Sequence, residues 1–296
     1  MDIFVLFIII ILLFVLYNIT ITKYFRKNTN VISYNLLSKF IQIVSENNFF
    51  MNYGYWDDEN MVLLDANKKL IQYVFDKTEL LGKKDMNILD VGCGYGEQDI
   101  EWSKQLDKTC KLRAVDISET QIYHAIEKQC EEKNSDVTFD ICDALFIDKK
   151  YGNELFDVII SLESAFHYSD RPKFFKNASV LLKDNGRFVI TDIMLKYSTT
   201  DIITNMVINI YSDFLNIPRA NLITADEWEK QIASEFNIIE SHDITEKTFT
   251  PYYNHYMKTL IKNMCLPSFL SDLLIKVCSV QPFSYRIAVC GKKNTV

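Results

Sequence analysis

The sequence predicts an α/β protein whose core is a seven-stranded, mostly parallel β-sheet with helices on both faces. Three observations support this prediction. From residue 61 onward, short apolar runs alternate strictly with amphipathic helical stretches. A turn with three alternating glycines directly follows the first of these runs. With 296 residues, 48% of them apolar, the chain is long enough to bury one sizeable core.

The elements can be assigned in order along the chain. An apolar helical stripe over residues 63–75 precedes the first strand. Later helices should begin at Ser118, a typical N-cap residue, and at Pro172, the latter ending at the turn formed by residues 184–186. The predicted strands cover residues 86–91, 111–117, 136–142, 156–162, 187–193, 236–244 and 284–291.

Residues 1–27 predict a membrane anchor with a basic flank. The segment from Ile3 to Thr22 carries no charge, and twenty helical residues span about 30 Å, the thickness of a bilayer's hydrocarbon core. No basic region precedes the segment, no small-residue cleavage site follows it, and residues 23–27 contain three basic side chains. We therefore expect a single-pass anchor that is retained, with the rest of the chain in the cytosol. The alternative is a buried helix of the globular domain, which would normally carry polar residues on one face.

The remaining chain divides into a small cap and a larger domain. Residues 28–60 show no clear period and end in a stretch rich in aromatic residues, which indicates a cap or lid. Residues 61–296 form the α/β domain, and apolar insertions interrupt it at 197–222 and 250–280.

Charge and cysteine content exclude several classes of function. The net charge of −7 provides no basic face for a run of phosphates, so nucleic acid is not an expected partner. The seven cysteines are odd in number and never spaced as CxxC, so we expect buried thiols, without a disulfide framework or a metal site.

The glycine turn predicts a nucleoside-binding site. Gly92, Gly94 and Gly96 follow the first strand, at the edge where open parallel sheets bind their ligands. Asp116, at the tip of the second strand, has the right spacing to receive ribose hydroxyls. A dinucleotide site would place a third glycine at the position of Glu97, and an acid there would repel a pyrophosphate. A nicotinamide-dependent dehydrogenase is therefore disfavoured, although it remains an alternative.

The stretch from Asp90 to Gly96 resembles the first motif of the class I S-adenosylmethionine-dependent methyltransferases, in which an acid and one further residue precede three alternating glycines. The resemblance covers roughly residues 60–250 and implies a Rossmann-like fold. Segments 156–175 and 181–193 are similar to the branch that methylates small molecules and lipids, which includes macrolide-sugar, tocopherol, sterol and phosphoethanolamine methyltransferases.

The resemblance also implies roles for individual residues. The turn that contains Asp90, Gly92, Cys93, Gly94 and Gly96 would hold the methionine arm of S-adenosylmethionine, whose sulfonium and ammonium groups suit nearby acids. Three further sites would hold the nucleoside. These are Asp116 for the ribose, Ile117 packed on the adenine, and Asp143 with Ala144 at the exocyclic amine.

Two residues in the loop after the fourth strand are candidates for the transfer step. His167 is the first, as a base or as a group that orients the acceptor, and a histidine in this loop is also found in the phosphoethanolamine methyltransferases. A loop histidine with only local hydrogen bonds is the alternative. Glu163 could instead take a proton or face a cationic intermediate.

Aromatic residues predict a lid over a flat apolar or cationic substrate, although such clusters also occur as ordinary core. The candidate residues of the substrate pocket are Tyr53, Tyr55, Trp56, Tyr211, Tyr253 and His255. By the resemblance, the insertion at 197–222 would form the substrate cap.

The sequence therefore predicts an enzyme that methylates a small, lipid-like or amphiphilic acceptor at oxygen, nitrogen or carbon, at a membrane surface. The anchor favours such an acceptor because tethering concentrates the enzyme where amphiphiles partition. A membrane-tethered, methyltransferase-like protein that binds cofactor without catalysis is the alternative.

Overall fold

A computed structural model of the chain describes residues 49–58, 60–132, 135–198, 200–258, 261, 267–269, 271–272 and 282–293. The predicted anchor and most of the predicted cap lie outside these residues. None of the helices that the structure describes is long and apolar enough to cross a bilayer.

The predicted seven-stranded sheet is confirmed. Its strands are β1 (Asn87–Val91), β2 (Lys111–Asp116), β3 (Val137–Ile141), β4 (Phe156–Leu162), β5 (Leu182–Leu195), β6 (Phe236–Asp243) and β7 (Phe283–Lys292). Their order across the sheet is β3-β2-β1-β4-β5-β7-β6. Neighbouring strands are parallel except at β7, which is antiparallel to both β5 and β6. The order reverses between β1 and β4, which is where open sheets of this kind bind ligands.

Helices cover both faces of the sheet, as predicted. The helices are α1 (Leu63–Thr78), α2 (Glu97–Ser103), α3 (Glu119–Glu131), α4 (Ile147–Tyr151), α5 (Arg171–Leu181), α6 (Ile202–Phe214), α7 (Ala225–Glu235) and the short α8 (Phe249–Pro251), which continues into a π-helical turn over Tyr252–Met257. Side chains of α1, α2 and α3 share one core with Ile88, while those of α4, α5 and α7 share the other with its neighbour Leu89. This alternation is expected of a strand that is buried on both faces.

One boundary differs from the prediction. Helix α5 ends at Leu181 and β5 begins at the next residue, whereas the sequence indicated a helix that continues to residues 184–186. Leu182 pairs with Phe156 of β4, and a register shift follows in that pairing. Pairing with β4 satisfies the backbone of Leu182, so the strand begins before the turn residues.

The carboxyl ends of β1 to β5 form one edge of the sheet. Strand β7 runs in the opposite direction and therefore begins at this edge, where Phe283 pairs with Leu195 at the end of β5. The loops after β1, β2 and β4 and the first residues of β7 consequently meet in one region, which contains the candidate site.

Candidate functional site

The three glycines of the turn after β1 differ in how closely neighbouring atoms approach them. Gly92, Gly94 and Gly96 have φ angles of +87°, +56° and +72°. A Cβ at Gly92 would lie 1.7 Å from Oγ of Ser164, and one at Gly96 would lie 2.6 Å from the ring of Phe139. At Gly94 the only atom of the described residues within 4 Å would be Cγ of Met51, at 3.9 Å. Two glycines are therefore required by packing, and Gly94 faces the side where a ligand can approach.

Alanine substitutions should separate these two roles. In Gly92→Ala the clash with Ser164 should lower the free energy of unfolding by at least about 2 kcal/mol. In Gly94→Ala only backbone strain of about 1–2 kcal/mol is expected, together with weaker binding of S-adenosylmethionine because the new methyl group occupies the open side. Thermal denaturation and ligand titration measure the two effects. Full affinity in Gly94→Ala would argue against a ligand at this turn.

Asp116 connects the turn to the end of β2. Its two carboxylate oxygens accept hydrogen bonds from the backbone N–H groups of Gly94, at 3.0 Å, and Ser118, at 2.8 Å. The side chain is buried, and burial raises its pKa despite these hydrogen bonds. Asp116 therefore helps to fix the conformation of the glycine turn, a role beyond the ribose contact predicted from its position.

Two further acids lie beside the turn. Asp90 of β1 is fully buried and accepts a hydrogen bond from Nε2 of Gln98 at 2.9 Å. Asp99 in α2 is also fully buried, and burial raises the pKa of both carboxyls, that of Asp90 to about 7. The lining is thus acidic around the backbone of Cys93. It fits a cofactor with a sulfonium and an ammonium group and disfavours a pyrophosphate.

The adenine end of the predicted site is formed by the loops after β2 and β3. Ile117 is 44% exposed, so an apolar surface is available there. Asp143 accepts a hydrogen bond from the backbone N–H of Leu145 at 2.8 Å, and the neighbouring Ala144 is buried. One oxygen of Asp143 thus caps the short helical turn that follows β3.

Glu163 lies directly after β4 in an unusual backbone conformation. Its φ angle is +50°, which residues other than glycine, asparagine and aspartate seldom adopt. Oε1 accepts hydrogen bonds from the backbone N–H of Tyr53, at 2.9 Å, and the hydroxyl of Tyr285, at 2.7 Å. Burial outweighs both hydrogen bonds and raises the pKa of Glu163 to about 8. The carboxyl is therefore mostly protonated at pH 7.

The loop after β4 joins Glu163 to the glycine turn. Ser164, which fills the space above Gly92, makes a 2.7 Å hydrogen bond with the hydroxyl of Tyr168. The same hydroxyl donates to the carbonyl oxygen of Val91 at 3.1 Å. The two halves of the site are consequently in direct contact.

His167 lies further along this loop and is half-buried. Its Nδ1 is 3.3 Å from the carbonyl oxygen of Asn216, which follows α6. Burial lowers the pKa of His167 to about 4, so the imidazole is neutral at pH 7. Nδ2 of Asn221 donates to the carbonyl oxygens of Phe166 and Tyr168, at 2.9 and 2.7 Å. The predicted substrate cap thus holds the loop that carries both candidate catalytic residues.

An aromatic cluster lies beside Glu163. We use this name for Tyr53, Phe249, Tyr252, Tyr253 and Tyr285. The ring of Tyr53 is central, with centroid distances of 4.5 Å to Phe249 and 4.9 Å to Tyr252. Two of the six predicted pocket residues, Tyr53 and Tyr253, belong to this cluster.

Three of the other predicted pocket residues lie outside this cluster. Tyr55 stacks on Tyr73 of α1 at 4.9 Å, and Trp56 is a buried core residue whose Nε1 donates to the carbonyl oxygen of Tyr53. Tyr211 packs against the core near Phe283. The side chain of His255 is outside the described part of the chain. The sequence "NYGYW" does not distinguish Tyr55 from Tyr53. The two differ in their ring contacts, because Tyr55 stacks on Tyr73 of α1.

Sequence reasoning missed several residues that the fold brings to the site. Tyr285 and Thr191 approach Glu163 from β7 and β5, and Ser164, Tyr168 and Asn221 hold its loop. No local pattern marks these residues, because Tyr285 is 122 residues from Glu163 in the chain. The sequence indicated only that Tyr285 lies in a strand.

Comparison with known proteins assigns the family. A family profile described as a methyltransferase domain matches residues 82–255, more than half of the chain. Erythromycin 3''-O-methyltransferase from Saccharopolyspora erythraea is 27% identical over 216 residues, which cover 71% of this chain and 69% of that enzyme. Three other curated relatives are matched over only about half of their own length, between 49% and 55%.

Solved structures share the fold at low sequence identity. The [4+2]-cyclase SpnF has a TM-score of 0.70 at 18% identity and covers 90% of this chain and 96% of its own. Geranyl diphosphate C-methyltransferase from Streptomyces coelicolor A3(2) has a TM-score of 0.64 at 17% identity and covers 87% of this chain and 98% of its own. It was solved with Mg²⁺, geranyl diphosphate and S-adenosyl-L-homocysteine. The matching profile, the sheet order and the acid-lined glycine turn agree, and the chain therefore belongs to the class I S-adenosylmethionine-dependent methyltransferases, whose cofactor is S-adenosylmethionine.

Proposed function

We propose that the protein transfers a methyl group from S-adenosylmethionine to an oxygen, nitrogen or carbon atom of a small, lipid-like or amphiphilic acceptor at a membrane surface. The observation that carries this proposal is the buried carboxyl of Glu163, which is bound by Tyr53 and Tyr285 of the aromatic cluster and is followed in the chain by Ser164, the residue that contacts Gly92. Such rings favour flat apolar or cationic groups.

The cofactor would be held along the carboxyl edge of β1, β2 and β3. When bound, S-adenosylmethionine supplies an electrophilic methyl group. The backbone of the glycine turn would bind the methionine arm, Asp116 the ribose hydroxyls and Ile117 the adenine. Asp143 and Ala144 would face the exocyclic amine, for which the second oxygen of Asp143 can serve as acceptor.

Glu163 and His167 would act on the acceptor. Much of the rate of an in-line displacement comes from holding the two reacting atoms in line, and the rigid loop after β4 supports such positioning. We assign proton acceptance to Glu163, because its pKa of about 8 gives a carboxylate that is more basic than usual. His167, neutral and bound to the cap through Asn216, would orient the acceptor.

The nature of the acceptor is inferred from the relatives and from the N-terminal segment. The matched enzymes are named for small organic acceptors, a macrolide in one case and geranyl diphosphate in another. The uncharged run from Ile3 to Thr22 supports a single-pass anchor with the catalytic domain in the cytosol. A net charge of −7 argues against nucleic acid as substrate.

A second candidate is a membrane-tethered protein that binds cofactor without methyl transfer. The specific observation in its favour is that SpnF, which shares the fold, is described as a [4+2]-cyclase. The family's fold can therefore serve a reaction other than methyl transfer.

Turnover with methyl-labelled S-adenosylmethionine tests the proposal. The purified full chain is incubated with a cellular extract that is afterwards separated into lipid and water-soluble fractions. We expect label in one or a few lipid-soluble products. Label only in water-soluble products would contradict the amphiphilic acceptor, and label in no product, with cofactor bound, would favour the second candidate.

Deletion of residues 1–27 should move the protein from the membrane fraction to the soluble fraction. Because every described strand lies after residue 86, the truncated chain should keep its fold and its affinity for S-adenosylmethionine. Fractionation, circular dichroism and ligand titration check the three expectations. A full-length chain found in the soluble fraction, or an unfolded truncated chain, would show that the segment is not an anchor.

A further inference from the structure

Two buried carboxyls beside the glycine turn have few hydrogen-bond donors in the described part of the chain. Asp90 and Asp99 are both 0% exposed. Oδ1 of Asp90 and both oxygens of Asp99 have no donor in good hydrogen-bond geometry within the described chain, although the backbone N–H groups of Val91 and Asp99 lower the two pKa values. Only Oδ2 of Asp90 has a donor, Nε2 of Gln98 at 2.9 Å.

The described groups around the pair add negative charge. Asp116 faces the pair from β2, and the uncharged Cys93 and Tyr168 face it from the turn and from the loop after β4. At the start of α2, Glu97 is already paired with Lys128 of α3. Among the described residues, no lysine, arginine or histidine forms an ion pair with Asp90, Asp99 or Asp116.

Two adjacent carboxylates without a counter-charge cannot both ionise cheaply in a buried site. Sharing one proton relieves the repulsion and provides a hydrogen bond between the two side chains, with the Asp99 carboxyl as donor and Asp90 as acceptor. The pair then titrates as a unit, and its singly protonated form carries a net charge of −1.

We infer that Asp90 and Asp99 share one proton in the free protein and release it when the cationic cofactor binds at the glycine turn. Asp99 is thus a positioning residue that acts through Asp90. The inference rests on the assignment of S-adenosylmethionine as the cofactor. On binding, the shared carboxyl O–H bond breaks, the proton passes to the buffer, and the pair changes from −1 to −2 opposite the ligand's positive charge.

The sign of the pH dependence follows from this release. A ligand that binds better to the deprotonated pair gains affinity as the pH rises, by up to about tenfold per pH unit where one full proton is released. We therefore expect the affinity for S-adenosylmethionine to increase between pH 6 and pH 8.

Titration calorimetry of the full chain with S-adenosylmethionine, at pH 7 in phosphate and in Tris, measures the number of protons released. We expect about 0.5–1 proton per cofactor in the wild type. In Asp99→Asn the amide can still donate to Asp90 but does not titrate, so binding should persist with release near zero. Asp107→Asn, in the loop between α2 and β2, should release as many protons as the wild type.

Two results would overturn the inference. One is that the wild type binds S-adenosylmethionine with the same enthalpy in both buffers. This test uses only the wild type, so it does not depend on the folding of any variant. The other is unchanged release in Asp99→Asn together with loss of release in Glu163→Gln, which would identify Glu163 as the source. Failure of the wild type to bind S-adenosylmethionine at all would instead contradict the cofactor assignment itself.

Discussion

Replacement of Asp116 by alanine should lower the affinity of the chain for S-adenosylmethionine about 100-fold or more. The carboxylate holds the backbone N–H groups of Gly94 and Ser118, and it is the acceptor we assign to the ribose hydroxyls. Hydrogen bonds to a charged group contribute about 1.5–3 kcal/mol each, and 1.4 kcal/mol corresponds to a factor of ten in affinity. Loss of two such bonds therefore accounts for the expected effect.

Two further variants control this experiment. Asp116→Asn keeps one side-chain oxygen as acceptor and should lower the affinity for S-adenosylmethionine by an intermediate amount. Asp140→Ala removes a carboxylate from the neighbouring strand β3, where it pairs with Lys150 at 3.2 Å, and should change the affinity less than threefold. Equilibrium titration measures all three, and wild-type affinity in Asp116→Ala would remove Asp116 from the site.

Replacement of Glu163 by glutamine should lower the rate of methyl transfer about 100-fold to 10,000-fold, the range expected for loss of a general base. The amide oxygen can still accept the hydrogen bonds from Tyr53 and Tyr285, so the fold and the affinity for S-adenosylmethionine should be retained. Single-turnover rates with a saturating acceptor measure the effect. A rate within threefold of wild type would show that the carboxyl is not needed for transfer.

His167→Ala is the matched comparison, because His167 lies in the same loop. It should also leave cofactor binding within a few-fold of wild type while lowering the transfer rate. The pH dependence distinguishes the two residues. With a pKa of about 8, Glu163 gains its carboxylate as the pH rises, so kcat/KM should increase up to about pH 8 and then level off.

A histidine base would give a different profile. With a base of the usual histidine pKa, the rate would fall as the pH drops below about 6.5. Burial, however, lowers the pKa of His167 to about 4. Catalysis by His167 alone would therefore show no inflection between pH 5 and pH 9. Such a flat profile, combined with a large decrease in the rate of methyl transfer in His167→Ala, would identify the histidine as the proton acceptor.

The sheet and the turn were predictable because their signals are local. Short apolar runs bounded by polar segments identified all seven strands, and positive φ angles explain why glycines alternate after β1. Asp116 could be predicted because the length of α2 and the following loop fixes its distance from the turn. The end of α5 could not be predicted from local turn residues, because pairing of Leu182 with β4 determines it.

The surroundings of Glu163 were not predictable for a similar reason. Its partners Tyr53, Thr191 and Tyr285 come from three distant parts of the chain, and only the sheet order brings β5 and β7 to the same edge. The strained backbone of Glu163 also has no sequence signal, since glutamate is uncommon at positive φ. Aromatic composition alone predicted a lid but could not separate Tyr53 from Tyr55.

Titration calorimetry with S-adenosylmethionine and with NAD⁺ on the purified full chain tests the central claim most directly. Three buried acids around the glycine turn should admit the cationic cofactor and reject a pyrophosphate. We predict one S-adenosylmethionine bound per chain, with no measurable heat from NAD⁺ at millimolar concentration. Saturable binding of NAD⁺ without binding of S-adenosylmethionine would contradict the account.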